Sequence, residues 1–214
     1  MVDVEKMFAC SARMIAEVAA KPMPLTVGMS RWFEYCENVA PEHQDLWNRL
    51  RQLDFEQDAD GLTQWLSRLF KKEPPPDNIN GLWFGLFNPA GLFGRPSCRM
   101  YVSGSSGFDP RSDSNEWVCQ LSWMPRGRYS KSRVLKDIYR SVEPMSDDEI
   151  SYLGEPFLCH GYLALVVSNW CHGPMRSTLL GNAAVRAQGL RTTDRLHYSQ
   201  RLDSVKAATL RFSG

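Results

Sequence analysis

The chain has 214 residues, of which 43% are hydrophobic, and its 25 basic and 24 acidic side chains give a formal charge of +1. This composition supplies a core and excludes global disorder, and the balanced charge lacks the basic excess that nucleic-acid-binding proteins use to neutralise phosphates. The nearest approach to a membrane span, residues 157–170, is shorter than the ~18 apolar residues required. We therefore expect a single domain over residues 1–214, with neither nucleic acid nor membrane as a partner.

Residues 1–76 are predicted to form a helical N-terminal part. Asp3 is expected to cap the first helix, and Asp58 or Asp60 to begin the last one. The proline run Pro74–Pro76 ends this part, since proline cannot continue a helical ladder. Apolar side chains recur at steps of three and four, the spacing of one helical face, within Met7–Val18, Leu46–Leu53 and Leu62–Phe70. Ser30–Cys36 is predicted to be a further short helix.

Residues 77–214 are predicted to contain the sheet. The last of three predicted strands alternates most strictly, because Trp117, Cys119, Leu121 and Trp123 occupy every second position. Consecutive strands with short connections predict an antiparallel meander, and residues 104–115 are predicted to be a polar loop rich in turn formers. The three predicted strands are Gly81–Asn88, Cys98–Ser103 and Glu116–Trp123.

Helices are predicted to return after the sheet, over residues 131–142 and 147–171. The sequence Ser146–Glu149 has the pattern of a capping box, and a final hairpin is predicted to pair residues 185–191 with 196–202. The fold class is thus predicted to be α+β. A helical N-terminal layer would pack on a mainly antiparallel sheet, and additional C-terminal helices would cover a face of that sheet.

Six cysteines could form disulfides in an oxidising compartment. The chain opens with Met-Val-Asp-Val-Glu-Lys, which lacks the basic and apolar regions of a secretory signal. Several cysteines also lie within apolar patterns, where a free thiol behaves as a small hydrophobic group. The sequence therefore favours buried free thiols in a cytoplasmic protein.

Neither metal nor cofactor is predicted. The pairs Cys159-His160 and Cys171-His172 carry zinc-ligand types, but twelve helical positions separate them by roughly 18 Å along the helix axis, too far for one ion. The acidic residues Asp109, Asp113 and Glu116 do not follow the spacing of a calcium-binding loop. Solvation and local capping account for them more simply.

No enzymatic motif is complete in the chain. Gly104-Ser-Ser-Gly107 follows a predicted strand, but Phe108 stands where a nucleophile elbow around Ser106 needs its second glycine. The glycine pairs also fail to match a dinucleotide-binding or phosphate-binding loop. The alternative left open is a hydrolase or transferase that uses one of the six cysteines or four histidines without a recognisable motif.

A partner-binding surface is predicted around loop 104–115 and segment 123–129, where Trp, Arg and Tyr are concentrated. These three residue types dominate protein–protein hot spots. The competing interpretation puts Trp123 in the core and leaves the two arginines as solvated turn residues. The predicted binding residues are Asp109, Arg111, Asp113, Glu116, Trp123, Arg126, Arg128 and Tyr129.

The run from Gly81 to Asn88, then Met100–Asp109, Glu116–Cys119, Pro125 and Tyr129 followed by a helix, resembles small cytoplasmic bacterial immunity proteins. This resemblance implies that the chain binds and blocks a cognate protein toxin. The mechanism expected from the residue types themselves is that Asp109, Asp113 and Glu116 meet basic groups on the toxin. A structural or adaptor subunit is the third interpretation. Near-zero net charge favours association of some kind, including a homodimer.

Overall fold

The computed structural model describes residues 2–89, 97–109, 116–145 and 150–173, together with two short strands near the C-terminus. Asp3 caps the first helix as predicted, because its Oδ1 accepts a hydrogen bond from Lys6 N–H at 3.1 Å. A 3₁₀ turn over Pro41–His43 leads into the third helix. The N-terminal helices are α1 (Val4–Ala20), α2 (Leu25–Val39), α3 (Gln44–Arg51) and α4 (Phe55–Lys72).

Helix α4 begins earlier than predicted. Its cap is Asp54, whose carboxylate accepts the N–H of Gln57 at 3.0 Å, so the prediction of Asp58 or Asp60 as the start was wrong. Asp58 instead caps a different helix. Its Oδ1 accepts the N–H of Arg133 at 2.7 Å, and its Oδ2 accepts the hydroxyls of Ser132 at 2.6 Å and Tyr162 at 2.9 Å.

The sheet is a hairpin of β1 (Gly81–Phe87) and β2 (Arg99–Ser105), which pair antiparallel with Gly81 opposite Ser105 and Phe87 opposite Arg99. One face, here called the inner face, packs on the helices. The opposite, outer face carries a separate aromatic cluster. The inner-face side chains are almost fully buried: Leu82, Phe84, Leu86, Met100 and Val102.

The predicted third strand was wrong. Glu116–Cys119 form a 3₁₀ turn. In the described parts of the chain, only isolated bridges, Gly104 to Trp123 and Tyr101 to Tyr129, extend the sheet beyond β2. The reason is that Trp117 packs in the outer-face cluster, whereas Trp123 packs in the main core. A single strand would have put both indoles on one face.

The C-terminal helices confirm the α+β prediction. They are α5 (Arg133–Val142), the short α6 (Ser151–Leu153), a π-helical segment (Gly154–Cys159) and α7 (His160–His172). From 160 to 171 every side chain except Asn169 is buried, as expected for the apolar run. Pro156 lies within the π-helical segment and lacks an N–H donor, which locally weakens the α-helical ladder.

Two further strands, β3 (Ala187–Gln188) and β4 (Thr209–Leu210), pair antiparallel. The first lies in the predicted arm 185–191, but its partner lies beyond the predicted arm 196–202. That second arm falls outside the described residues, as does the predicted capping box at 146–149. In the described part of the chain, no helix is both long and apolar enough to cross a membrane.

The core is organised around α7, which contacts α1, α2, α4 and β1. An aromatic column joins these layers. Phe70 of α4 stacks between Trp123 and Trp170, with ring centroids 5.6 Å apart on each side, and Trp170 meets Phe84 of β1 edge-on at 5.8 Å. Such pairs add to the burial energy of the rings, so the column fixes the sheet against the helices.

Candidate protein-binding surface

A tight turn at residues 125–128 is the best-defined feature of the predicted surface. The N–H of its last residue donates to the carbonyl of its first at 3.1 Å. Glu73, which caps α4, accepts the N–H groups of Arg126 at 2.7 Å and Gly127 at 3.2 Å. The indole N–H of Trp65 donates to the Gly127 carbonyl at 3.0 Å. Helix α4 therefore holds the turn in one conformation.

The carboxylate of Glu73 is held ionised by the same contacts. The hydrogen bond from the Arg126 N–H lowers the pKa of Glu73 below its usual range, and the Gly127 N–H acts in the same direction. Hydrogen bonds to the charged form of a carboxyl group favour that form. The turn thus remains anchored at neutral pH.

Held in this way, the turn presents a mixed basic and apolar surface. Arg126 is exposed, and Met124 beside it leaves 57% of its surface exposed. The Arg128 guanidinium lies over the ring of Tyr129, 4.8 Å from its centroid, and Arg128 Nη1 donates to the Pro125 carbonyl at 3.3 Å. Stacking on an aromatic ring restricts the guanidinium to fewer orientations.

Tyr129 continues onto the outer face of the hairpin. Its ring centroid lies 4.7 Å from that of Phe87 and 6.1 Å from that of Tyr101. The Tyr101 hydroxyl accepts the indole N–H of Trp83 at 2.8 Å. The half-buried rings of Phe87, Tyr101 and Tyr129 therefore form an apolar surface beside the turn, here called the floor.

The structure places Trp123 in the core, as the competing interpretation has it. Its side chain is only 7% exposed and stacks on Phe70. The main chain of Trp123 also fixes the approach to the turn, because its carbonyl accepts the N–H of Gly104 at 2.8 Å. Trp123 therefore supports the surface from beneath.

The acidic residues lie at the other end of the hairpin. Asp109 and Glu116 are exposed and flank the contact between Phe108 and Trp117, whose ring centroids are 5.0 Å apart. This contact lies beside the β2 end at Ser105, four residues or roughly 13 Å from the bridge at Tyr101. Arg111 and Asp113 lie outside the described residues. The predicted residues thus separate into an acidic end and an arginine–tyrosine end.

Sequence reasoning missed the residues that position this surface. Glu73 and Trp65 contact the turn across 53 to 62 positions of sequence, and nothing in the local pattern around them marks that contact. Phe87 and Tyr101 had a usable signal. They lie at the strand positions that alternate with the buried Leu86, Met100 and Val102, and an aromatic residue at an outward position indicates a second packed face.

Among the residues that the structure describes, the cysteines and histidines do not form an exposed reactive site. Cys36, Cys98, Cys159 and Cys171 are buried free thiols, as predicted, whereas Cys119 is exposed. Burial raises the pKa of the Cys36 and Cys98 thiols well above the usual range, which opposes formation of the reactive thiolate. The described residues contain no group of three or more His, Cys, Asp or Glu side chains that could hold a metal ion.

These burial differences predict the order in which the thiols react. In the native protein we expect a maleimide to label Cys119 first, Cys10 more slowly, and the four buried thiols only after unfolding, because a buried thiol is inaccessible to the reagent. Time-resolved labelling followed by peptide mass spectrometry measures this order. Fast labelling of Cys36 or Cys159 would contradict the described packing.

A cleft of about 360 Å³ opens between α2, α4 and α7. Its walls combine apolar side chains with the carboxylates of Glu56 and Asp60, and neither cysteine nor histidine is among the residues that line it. The cleft therefore gives no support to the alternative of a Cys/His enzyme. The lining residues are Pro24, Leu25, Glu56, Ala59, Asp60, Thr63, Val166, Asn169, Trp170 and Gly173.

His160 is a buried neutral side chain with a consequence for stability. Its Nδ1 donates to the Glu155 carbonyl at 2.8 Å, and burial lowers its pKa to about 4. Unfolded histidine titrates near 6.5, so the unfolded chain takes up this proton first as the pH falls. The contribution of His160 to stability is complete above about pH 6.5 and is lost as the pH falls towards 4.

Replacing His160 with Gln should flatten this pH dependence. Between pH 6.5 and 4 we expect the variant to lose less unfolding free energy than the parent, by up to about 3 kcal/mol, because Gln cannot take up the proton. Urea unfolding at several pH values measures the difference. The control is His43→Gln, at a half-exposed position. If the unfolding free energy of the His160 variant and of the parent changed equally with pH, the result would contradict a buried, neutral His160.

Comparison of the chain with models of known protein families, with curated proteins and with solved structures gives no match.

Proposed function

We propose that this chain is a protein-binding immunity protein, which neutralises a cognate bacterial toxin by forming a tight complex with it. The observation that carries the binding role is the turn at 125–128, held by Glu73 and Trp65 so that it presents Arg126 and the stacked Arg128–Tyr129 pair. Arginine and tyrosine are enriched at binding hot spots. A surface that is ordered before binding loses less conformational entropy on association.

The proposed mechanism is steric occlusion of the toxin's active site. The arginine–tyrosine end would supply the anchors, and Asp109 and Glu116 would meet basic groups of the same toxin at the other end of the hairpin. The β2 residues beside the two ends, Ser105 and Tyr101, are roughly 13 Å apart along the strand. One interface of standard size, about 800 Å² on each partner, would cover both ends. Trp123 acts indirectly by fixing the segment that carries the anchors.

The test starts with affinity capture of the tagged protein from its native cell, with the genes adjacent to its own expressed. One stoichiometric toxin partner is the expected result, and the purified pair then allows binding to be measured by calorimetry. We expect Arg126→Ala combined with Tyr129→Ala to weaken binding at least about 100-fold, since hot-spot truncations cost about 2 kcal/mol or more each.

The matched control replaces two exposed arginines on helices, Arg13 of α1 and Arg49 of α3, with Ala. We expect it to bind like the parent. Circular dichroism and urea unfolding establish that both double variants are folded. Unchanged affinity in the folded Arg126/Tyr129 variant would show that the surface is assigned wrongly. Capture of no toxin at all would contradict the immunity role itself.

A further inference from the structure

Arg126 and Arg128 belong to a larger group of cations. The bridge between Tyr101 and Tyr129 aligns β2 with residues 128–130, and the N–H of Ser130 donates to the Met100 carbonyl at 2.8 Å. Two residues beyond this bridge, Arg99 and Lys131 continue the same side of the sheet. We call the set of Arg99, Arg126, Arg128 and Lys131 the basic edge.

The four cations of the basic edge have no ion-pair partner among the described residues. Elsewhere Arg31 pairs with Glu17, Arg51 with Glu37 and Arg133 with Asp137. Arg13, Arg49 and Arg68 also lack such a partner but lie on three different helices, so the basic edge is distinguished by the grouping of four such cations around the bridge between Tyr101 and Tyr129. The carboxylate at the turn is Glu73, whose two oxygens already accept the N–H groups of residues 126 and 127. Its charge offsets at most one of the four cations.

The floor beneath these cations is aromatic. Tyr129 packs between Phe87 and Tyr101, and the guanidinium of Arg128 stacks on the Tyr129 ring. Guanidinium groups bind carboxylates through paired, charge-assisted hydrogen bonds. A low-dielectric floor strengthens such contacts, because it leaves less water to compete.

We infer that the basic edge binds a carboxylate-rich patch on a partner protein. This inference rests on the proposed function and specifies the partner: the toxin would present Asp and Glu side chains to Arg126 and Arg128, and basic side chains to Asp109 and Glu116. Exposed Met124 beside the arginines adds an apolar contact that suits a folded protein. Polynucleotides are less well matched, since the chain carries a net charge of only +1.

A fluorescein-labelled acidic peptide of about 12 residues, rich in Glu, Asp and Leu, tests the recognition chemistry without the toxin. Fluorescence anisotropy with the full chain is measured at low and at physiological salt. We expect Arg126→Glu combined with Arg128→Glu to weaken peptide binding at least about tenfold. The control variant, Arg13→Glu on α1 with Lys21→Glu directly after that helix, changes the net charge equally and is expected to bind like the parent.

Two further probes decide the class of ligand: single-stranded DNA of about 12 nucleotides and vesicles containing phosphatidylglycerol. The inference requires the acidic peptide to bind more tightly than either probe. Tighter binding of DNA or vesicles would overturn it, as would equal weakening by both charge-reversal pairs or absence of peptide binding at low salt. Toxin capture is a separate readout, so failure of the acidic-patch inference and failure of the immunity proposal are distinguishable.

Discussion

Replacement of Asp58 with Ala is expected to lower the free energy of unfolding by about 3 kcal/mol. The Asp58 carboxylate joins three elements, because it accepts the Arg133 N–H at the start of α5 and the hydroxyls of Ser132 and Tyr162. A lost helix cap costs about 1 kcal/mol, and a lost hydrogen bond to a charged group about 1.5–3 kcal/mol. Tyr162 keeps its second acceptor, the Phe55 carbonyl at 3.1 Å, which limits the loss.

Urea unfolding followed by circular dichroism measures this change, and Asp60→Ala is the matched control. Asp60 lies on the same helix but is exposed, so its replacement is expected to change stability by less than about 0.5 kcal/mol. Asp58→Asn should fall between the parent and Asp58→Ala, because an amide oxygen can still accept one of these hydrogen bonds. Equal stabilities for Asp58→Ala and Asp60→Ala would show that the hydrogen bonds of the Asp58 carboxylate contribute nothing to the free energy of unfolding.

Replacement of Gly161 with Ala is expected to destabilise the fold by about 3 kcal/mol. A Cβ at this position would lie inside van der Waals distance of the Trp32 indole, at Cε2 and Nε1. Trp32 is fully buried, and a large rigid ring in a close-packed core cannot move away without displacing its neighbours. Overpacking of this kind typically costs 1–3 kcal/mol and occasionally more.

The same substitution at Gly61 has the opposite expected sign. Gly61 lies within α4, and a Cβ added there meets no atom within 4 Å. Ala is about 1 kcal/mol more favourable than Gly in a helix interior, so Gly61→Ala should stabilise the protein by roughly that amount. Thermal and urea unfolding of both variants measure the contrast. A Gly161→Ala variant as stable as the parent would contradict the close approach of α7 to Trp32.

Helical periodicity predicted the N-terminal part well, because each helix buries one stripe that the sequence displays directly. The start of α4 was the exception. Asp54, Asp58 and Asp60 are equally good caps by type, and only tertiary contacts assign Asp54 to α4 and Asp58 to α5. The local sequence therefore does not indicate which helix a given carboxylate will cap.

The predicted third strand shows a different limit. Apolar residues alternate from Trp117 to Trp123 with the period of a strand. The two indoles nevertheless pack in separate clusters on opposite faces of the hairpin. Short alternating runs therefore identify buried residues more reliably than they identify the backbone conformation that buries them. In the candidate surface, residue types indicated Arg126, Arg128 and Tyr129. The hydrogen bonds by which Trp65 and Glu73 hold the turn join residues that are far apart in sequence, and no local pattern predicts them.

Helix α4 carries Asp58, and Glu73 caps its C-terminal end. Through these two carboxylates, α4 connects the start of α5 with the turn at 125–128. The two carboxylates are 15 residues apart, roughly 22 Å along the helix axis. One fixes the start of α5 and the other fixes the turn at 125–128. Amide hydrogens of Arg126 and Arg133 should then exchange with deuterium in a single cooperative opening, set by the local unfolding of α4. The surface proposed to bind toxin would then stay ordered only while α4 is folded.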